Sequence, residues 1–382
     1  MKFVLLVRSL ERGGAERQVV MLARGLRDAG HEVVVVVFYE GGVFERDLIE
    51  SGIRLVSLEK AGRWDVVPFS VRLLAVMKAE RPDVLYCFMT TPNVLSVALR
   101  PVLPSACRTV WGIRSARVKL GDDWLTRLHV VLEDRLSGMP DLIIVNSQAG
   151  ARELARRGFP ASKVALVRNG IDVDVYKRDA IGRQRVRHEW KVAEGDALIG
   201  IVARPDPIKA HDVFLKMAAV LSEKGTEAQF VCVGVSDEQA ATRLRTMAKQ
   251  LGLGGRVRVE GPRDVLTPVY SALDVLVMCS HSEGFPNVVA EAMACGVPCA
   301  VTDAGDAVEI VGHTGAHARP GDPDGLAEAV LEVLSRLRAD ATEVQTTTRG
   351  RIVERYSIPA LARATLAAVE SVGARDLAPT VC

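Results

Sequence analysis

The chain has 382 residues, of which 48% are apolar, 25% charged and 5% aromatic, and its formal net charge is +2. That length is about twice the usual domain mode and predicts two domains, while the apolar content excludes disorder for the bulk of the chain. No run approaches the ~18 uncharged apolar residues of a spanning helix. The apolar run that opens at Phe3 stops after five residues with no small-residue cleavage site, so it reads as a first strand and not as a signal peptide. Cysteines at 87, 107, 232, 279, 295, 299 and 382 are odd in number and scattered, which argues against a disulfide framework and for the reducing cytosol. Charge is uneven: residues 1–170 hold 25 Lys+Arg against 18 Asp+Glu (+7), leaving 24 against 29 (−5) for the remainder. Such asymmetry fits either ordinary surface variation or an anionic partner for the basic half.

In chain order, short β-branched runs alternate with helix-length segments. Strands are predicted at Phe3–Val7, Glu32–Phe38, Ile53–Ser57, Val84–Cys87, Arg108–Trp111, Leu142–Asn146 and Val164–Val167. A helix over Ala15–Ala29 closes on Gly30 at the expected position past its end. Five consecutive valines, Val33 to Val37, suit a parallel strand buried on both faces. The turn-like Asn169-Gly170-Ile171-Asp172 and the charged stretch up to Trp190 read as a seam between domains. The scheme then repeats. Strands are predicted at Ala197–Val202, Ala228–Val233, Val257–Glu260, Val275–Met278 and Val297–Val301, and helices at His211–Lys224, Asp237–Leu251, Asn287–Ala294 and Asp324–Leu337. A last helix at about Ile358–Val372 precedes a loose tail, Gly373–Cys382. Continuous alternation is the mark of doubly wound α/β units, so the reading is one domain over residues 1–172 and a second over 173–357, with helix 358–372 able to join the first. In open sheets of this kind ligands sit at the carboxyl ends of the strands.

Three loops at such ends carry unusual residues. After the first strand comes Arg8-Ser9-Leu10-Glu11-Arg12-Gly13-Gly14, leading into a helix. Gly13 and Gly14 permit close approach of an anion to the helix amino end, or serve simply as a connector. The loop lacks the Gly-Lys-Ser/Thr of a phosphate loop and the third glycine of a dinucleotide fingerprint. After Val202, two cations five residues apart, Arg204 and Lys209, lie on a segment stiffened by Pro205 and Pro207. They form either a solvated charge pair or a clamp for a diphosphate, Arg offering a planar fork and Lys a point charge. After Met278, Cys279-Ser280-His281-Ser282-Glu283-Gly284-Phe285-Pro286-Asn287 runs into a helix containing Glu291, and the amino end of that helix again favours an anion.

From Ser282 to Pro298 the sequence closely resembles the E-x7-E signature of glycosyltransferase family 4, with Glu283 and Glu291 as its two carboxylates. Arg204 and Lys209 fall at the spacing of that family's donor pair, Gly13-Gly14-Ala15-Glu16 looks like its glycine-rich first loop, and the stretch Gly312 to Pro323 is similar as well. The likeness runs in order over nearly the whole chain. It implies the GT-B fold, two Rossmann-like domains facing across a cleft, and a retaining transferase that takes its sugar from a nucleotide diphosphate sugar without a cofactor or bound metal. By the same resemblance Arg204 and Lys209 grip the diphosphate, Glu283 binds sugar hydroxyls and Glu291 the ribose. Backbone groups at Gly284, Phe285, Pro286, Asn287 and Val288 border the donor, and Gly13 and Gly14 approach it from the other domain. The family often has Gly where Ala203 and Ala210 stand here, and a first-domain His for which Arg114, in Thr109-Val110-Trp111-Gly112-Ile113-Arg114-Ser115, is the nearest substitute. Asp303, Asp306 and Glu309 either assist the donor or belong to a solvated loop.

The resemblance gives the acceptor, a glycan or lipid-linked molecule, to the first domain, around Arg63-Trp64 and from Arg108 to Arg135. There Trp111, Arg114, Arg117, Lys119, Trp124 and Arg127 interleave basic and aromatic residues, which suits an anionic membrane interface, a sugar- or lipid-phosphate-lined groove, or simply a solvated basic face. The expected setting is the cytoplasmic face of a membrane, in lipopolysaccharide, exopolysaccharide or glycolipid assembly, with no nucleic-acid partner. Alternatives are another GT-B enzyme, an epimerase or phosphorylase, and a non-catalytic nucleotide-binding protein. Chain length weighs against the phosphorylase, and the four charged residues Arg204, Lys209, Glu283 and Glu291 weigh against the last.

Overall fold

A computed structural model describes residues 1–62, 64–114, 124–193 and 195–376; side chains at 124–126 and 373–376 are outside that description. The chain divides into two compact units, Met1–Gly170 with Ile358–Cys382, and Ile171–Ser357.

Unit 1 is built on a seven-stranded sheet: β1 (Lys2–Val7), β2 (Glu32–Val37), β3 (Arg54–Ser57), β4 (Val84–Phe88), β5 (Arg108–Ile113), β6 (Leu142–Val145) and β7 (Val164–Leu166). Its order is β3-β2-β1-β4-β5-β6-β7, and every pairing is parallel. The valine run occupies β2 and is buried throughout, because helices cover both faces. One face packs on helix Gly14–Asp28 through Val19, Leu22 and Leu26, together with Ile358, Leu361 and Val369 of the terminal helix. The opposite face packs on helix Val67–Glu80 through Phe69, Leu73 and Met77.

Unit 2 has a six-stranded parallel sheet: β8 (Ala197–Val202), β9 (Ala228–Val233), β10 (Val257–Glu260), β11 (Val275–Met278), β12 (Cys299–Thr302) and β13 (Ala316–Ala318), in the order β10-β9-β8-β11-β12-β13. The order reverses at β8, with β9 on one side and β11 on the other. Apolar clusters fill both faces of this sheet too.

Several expectations need correction. The cut between the units falls between Gly170 and Ile171, inside the turn-like stretch 169–172, and the charged stretch that follows belongs to unit 2, where residues 180–189 form helix Ala180–Glu189. The Asp179 carboxylate caps its amino end by accepting from Gly182 N at 2.8 Å, and Arg183 and Arg187 pair with Asp274 at 2.7 and 3.1 Å. The strand expected from Val297 begins at Cys299, because Val297 N still closes the preceding helix on Ala292 O and Pro298 has no N–H to give. The last helix runs Ile358–Asp376, four residues into the expected tail. Residues 377–382 lie outside the described residues, as do Arg63, Arg117, Lys119 and the Trp124 side chain.

Candidate functional site

The loops after β8 and β11 leave neighbouring strands at the point where the strand order reverses, where doubly wound sheets place ligands. Both are held stiffly. In the first, the Asp206 carboxylate accepts from Ile208 N at 2.9 Å and caps a single turn over Pro207–Lys209. Ala210 then takes φ 51°, ψ 50°, a left-handed conformation that turns the chain directly into helix His211–Glu223. This is the position at which the family often has glycine, and the backbone shows why. The two loops are joined by His281 N donating to Ile208 O at 2.8 Å, and Thr302 Oγ1 on β12 donates to Ser280 O at 2.7 Å.

Lys209 and Glu283 meet where the loops join. Lys209 Nζ lies 2.5 Å from Glu283 Oε1, and the same oxygen accepts from Ser280 Oγ at 2.7 Å. Both side chains are part-buried, so the pair is neither a fully solvated bridge nor a desolvated one. An ammonium has three N–H donors, and this bond uses one. Arg204, two residues past β8, is exposed and makes no side-chain hydrogen bond or ion pair with the described residues. Helix Asn287–Ala294 starts at Pro286 with no side chain capping its amino end. It stops in a Schellman pattern, Gly296 N to Met293 O and Val297 N to Ala292 O, with Gly296 at φ 78°. Phe285 turns inward, its ring 5.7 Å from that of Tyr356, so only the backbone of Phe285 can face a ligand.

Glu291 lies one turn into this helix, 2% exposed, and accepts from Tyr270 Oη at 2.7 Å. Burial therefore gives it a partner within the unit, one that sequence spacing carried no signal for. Gly305 was also not singled out. At φ 63° a Cβ there would stand 2.4 Å from Gly284 O and 2.6 Å from Glu283 O, so this glycine lets the β12 loop lie directly against the Glu283 backbone. Asp306 N donates to Gly284 O at 3.0 Å in the same contact, and Asp306 is buried, while Asp303 and Glu309 are exposed. His211, which opens the helix after Lys209, is buried with Nε2 unpartnered; burial pushes its pKa down while the Ala203 backbone raises it.

The remaining candidates belong to unit 1. Gly14 begins helix Gly14–Asp28. Gly13 precedes it in an extended conformation, and the Glu16 carboxylate folds back to within 2.0 Å of where a Gly13 Cβ would be. A carboxylate thus fills the space that the sequence offered to an anion. Trp111 requires correction: it is 0% exposed, its indole N–H donating to Ser96 Oγ at 2.8 Å. It is a core residue of β5 and is not available to an acceptor or a membrane. Arg114, just past β5, is part-buried and polar in its contacts.

Two family models match the chain: "Glycosyltransferase Family 4" over residues 12–175 and "Glycosyl transferases group 1" over residues 196–336, which together take in most of it. The chain belongs to glycosyltransferase family 4. EpsF of Bacillus subtilis, which bears a glycosyltransferase name, is 26% identical over 297 residues, 77% of each chain. D-inositol 3-phosphate glycosyltransferase 2 of Catenulispora acidiphila is 33% identical over 239 residues, 59% of this chain, and the match spans about half of that relative's length (55%). Among solved structures, Anabaena Alr3699/HepE in complex with UDP superposes with a TM-score of 0.78 at 21% identity, over 97% of this chain and 100% of that one. Two parallel-sheet α/β units with these neighbours make the fold of this family 4 member GT-B. Among the described residues, no helix is long and apolar enough to cross a membrane, and no group of three or more His, Cys, Asp or Glu could hold a metal ion.

Proposed function

We propose that this family 4 glycosyltransferase moves a sugar, with retention, from a nucleotide diphosphate sugar to a glycan or lipid-linked acceptor in the assembly of a cell-surface polysaccharide or glycolipid. The observation that carries the reading is the meeting of Lys209 and Glu283 at 2.5 Å, in two loops of which one also carries exposed Arg204 and the other leads into an uncapped helix amino end. Positive charge for a diphosphate and a carboxylate for sugar hydroxyls stand at one point of the unit 2 sheet. Transfer breaks the bond from the anomeric carbon to the diphosphate through an oxocarbenium-like state. Fixed cations at the departing oxygen then contribute directly, about 3–4 kcal/mol for one well-placed donor. In the same-face route adopted here, the acceptor hydroxyl attacks from the side the diphosphate leaves, and its proton passes to the departing phosphate oxygen. Arg204 and Lys209 supply the charge that a metal supplies elsewhere, and Glu291 acts on the ribose once its contact with Tyr270 is shared.

A panel of nucleotide diphosphate sugars tests this by thermal stabilisation and slow hydrolysis, with and without chelator. UDP-glucose heads the panel because Alr3699/HepE has been solved with it. Stabilisation that ignores chelator and disappears in Lys209→Ala is expected; a strict need for divalent cation, or binding that survives Lys209→Ala unchanged, defeats the proposal.

Unit 1 binds the acceptor in this reading and touches the inner face of an anionic membrane. In support, Trp64 is 81% exposed, with Val66, Val67 and Val71 exposed close by in sequence and Lys60 and Arg72 in the same stretch of chain. Such a surface suits the headgroup boundary. Flotation with phosphatidylglycerol vesicles at low salt should carry the protein up, and Trp64→Ser should leave most of it behind; no flotation of the parent would remove the membrane part.

A further inference from the structure

The unit 1 sheet reverses its order at β1, between β2 and β4, so its own ligand position lies at the carboxyl ends of β1, β4 and β5. Two unusual residues occupy that edge. Met89, directly after β4, has φ 73° and ψ 166°, a region used almost solely by glycine, and its N–H is held on Gly112 O of β5 at 3.0 Å. Strain of this kind persists where the surroundings enforce it, and such places concentrate at ligand sites. Arg114 leaves β5 two residues beyond Gly112. Its Nη1 donates to Asn169 Oδ1 at 3.1 Å and its Nη2 to Tyr86 Oη at 3.2 Å, and its Cζ lies 5.5 Å from the centre of the Phe88 ring.

Neither hydrogen-bond partner carries a charge. Of the five donors of a guanidinium two are used, and Nε is buried with no partner. Tyr86 is 0% exposed, and burial pushes its phenol pKa up, so the ring keeps its proton and adds an O–H to the cluster. Asn146 Nδ2 donates to the same Asn169 oxygen at 3.2 Å. Donors are therefore in surplus. Three carboxylates elsewhere in the unit are each matched by a cation: Glu80 by Lys2 and Arg54, Glu133 by Arg157, Asp141 by Arg100. Arg114 is the reverse case, a part-buried cation with no carboxylate partner among the described residues.

We infer that Arg114 receives an anionic oxygen group, phosphate or carboxylate, on the acceptor, and that Tyr86 and Asn169 position its guanidinium for this. The inference rests on unit 1 being the acceptor-binding unit, and it deepens that reading: the acceptor is charged near the hydroxyl that attacks.

The test is a titration of the full chain with inorganic phosphate, and separately with acetate, at ionic strength held constant with KCl, followed by ³¹P and ¹³C line broadening. The parent should show two classes of phosphate site. Lys209→Gln should remove one and Arg114→Gln the other, each lost site weakening by roughly ten- to a hundredfold. Tyr86→Phe, which removes only the hydroxyl, should weaken the Arg114 site partially without lowering the melting temperature in proportion. Arg114→Lys keeps charge but not the planar fork, and serves if the glutamine variant melts early; it should bind more weakly than the parent and more tightly than the glutamine variant. Phosphate broadening that survives Lys209→Gln and disappears in Arg114→Gln assigns a phosphorylated acceptor, and acetate broadening alone with that same dependence assigns a carboxylated one. Loss of both phosphate and acetate binding in Lys209→Gln, or unchanged titrations in a folded Arg114 variant, overturns the inference. Because the anion is read without donor or transfer, failure of the transferase reading appears separately, in the response of nucleotide sugars to Lys209→Ala.

Discussion

Replacing Gly305 with alanine puts the strongest mechanical demand on the proposed donor site. The residue sits at φ 63°, where a side chain costs roughly 1–2 kcal/mol. The new methyl would stand 2.4 Å from Gly284 O and 2.6 Å from Glu283 O, against about 3.3–3.6 Å for a tolerable carbon–oxygen contact. The Glu283-Gly284 backbone must therefore retreat by about 1 Å. That retreat carries the Glu283 carboxylate away from Lys209, whose 2.5 Å contact opens beyond hydrogen-bonding range and gives up about 1 kcal/mol more. The sum is roughly 2–3 kcal/mol, equivalent to a fall of about 4–12 °C in the melting temperature of unit 2. A displacement of this size at a binding carboxylate should weaken donor binding or hydrolysis about a hundredfold. Calorimetric melting with and without a nucleotide diphosphate sugar reads both effects. Gly261→Ala, where a Cβ meets nothing within 4 Å, is the control and should change neither. If Gly305→Ala melts and binds like the parent, the loops are not locked together as described and the reasoning fails.

Ala210→Gly should be nearly neutral: relief of a left-handed alanine, about 1 kcal/mol, offsets loss of a methyl that is 1% exposed, about 0.8 kcal/mol. A urea midpoint shifted by more than that difference in either direction would contradict it. Gly350→Ala lies inside helix Ala341–Tyr356 with open space around it, and should raise stability by roughly 0.5–1 kcal/mol, seen as a melting point about 1–4 °C higher. Burial holds His211 below the imidazole value of 6.5, so its contribution is whole above that pH and is lost as pH falls through the folded-state value. Denaturant midpoints measured from about pH 7.5 down to 5.5 should fall for the parent and fall less for His211→Gln. His31, shifted the same way, leaves a residual slope, and identical slopes in parent and variant would exclude the effect.

What the sequence disclosed depended on where apolar periodicity decided the structure. The valine run of β2, strands β8, β9 and β11 and helix Asn287–Ala294 are buried along most of their length, and their boundaries are readable almost to the residue. Helix Ala180–Glu189 buries only Gly182 and Val186 and is held by arginine pairs to Asp274, so no apolar stripe announces it. Helix Ala341–Tyr356 carries Thr346-Thr347-Thr348, poor helix formers, and strand β13 is three residues long with His317 exposed. At the site, chemistry-bearing residue types on strand-end loops drew attention to Arg204, Lys209 and Glu283. Tyr270, Ser280 and Gly305 are set by tertiary contact alone and left no local mark. Trp111 misled for the opposite reason: an interfacial residue type next to basic neighbours is indistinguishable, in sequence, from a tryptophan filling a core.

The terminal helix Ile358–Asp376 lies in the same core as helix Gly14–Asp28, so close that a Cβ on Gly25 would stand 2.9 Å from Ile358 Cγ2 and 3.0 Å from Ala362 Cβ. Unit 2 is one uninterrupted stretch of chain, whereas unit 1 is assembled from two pieces separated by all of it. During synthesis, therefore, the later-coded unit can finish folding while the earlier one still waits with an apolar helix face uncovered. A nascent chain released before residue 358 would carry a completed half and a sticky, unfinished one.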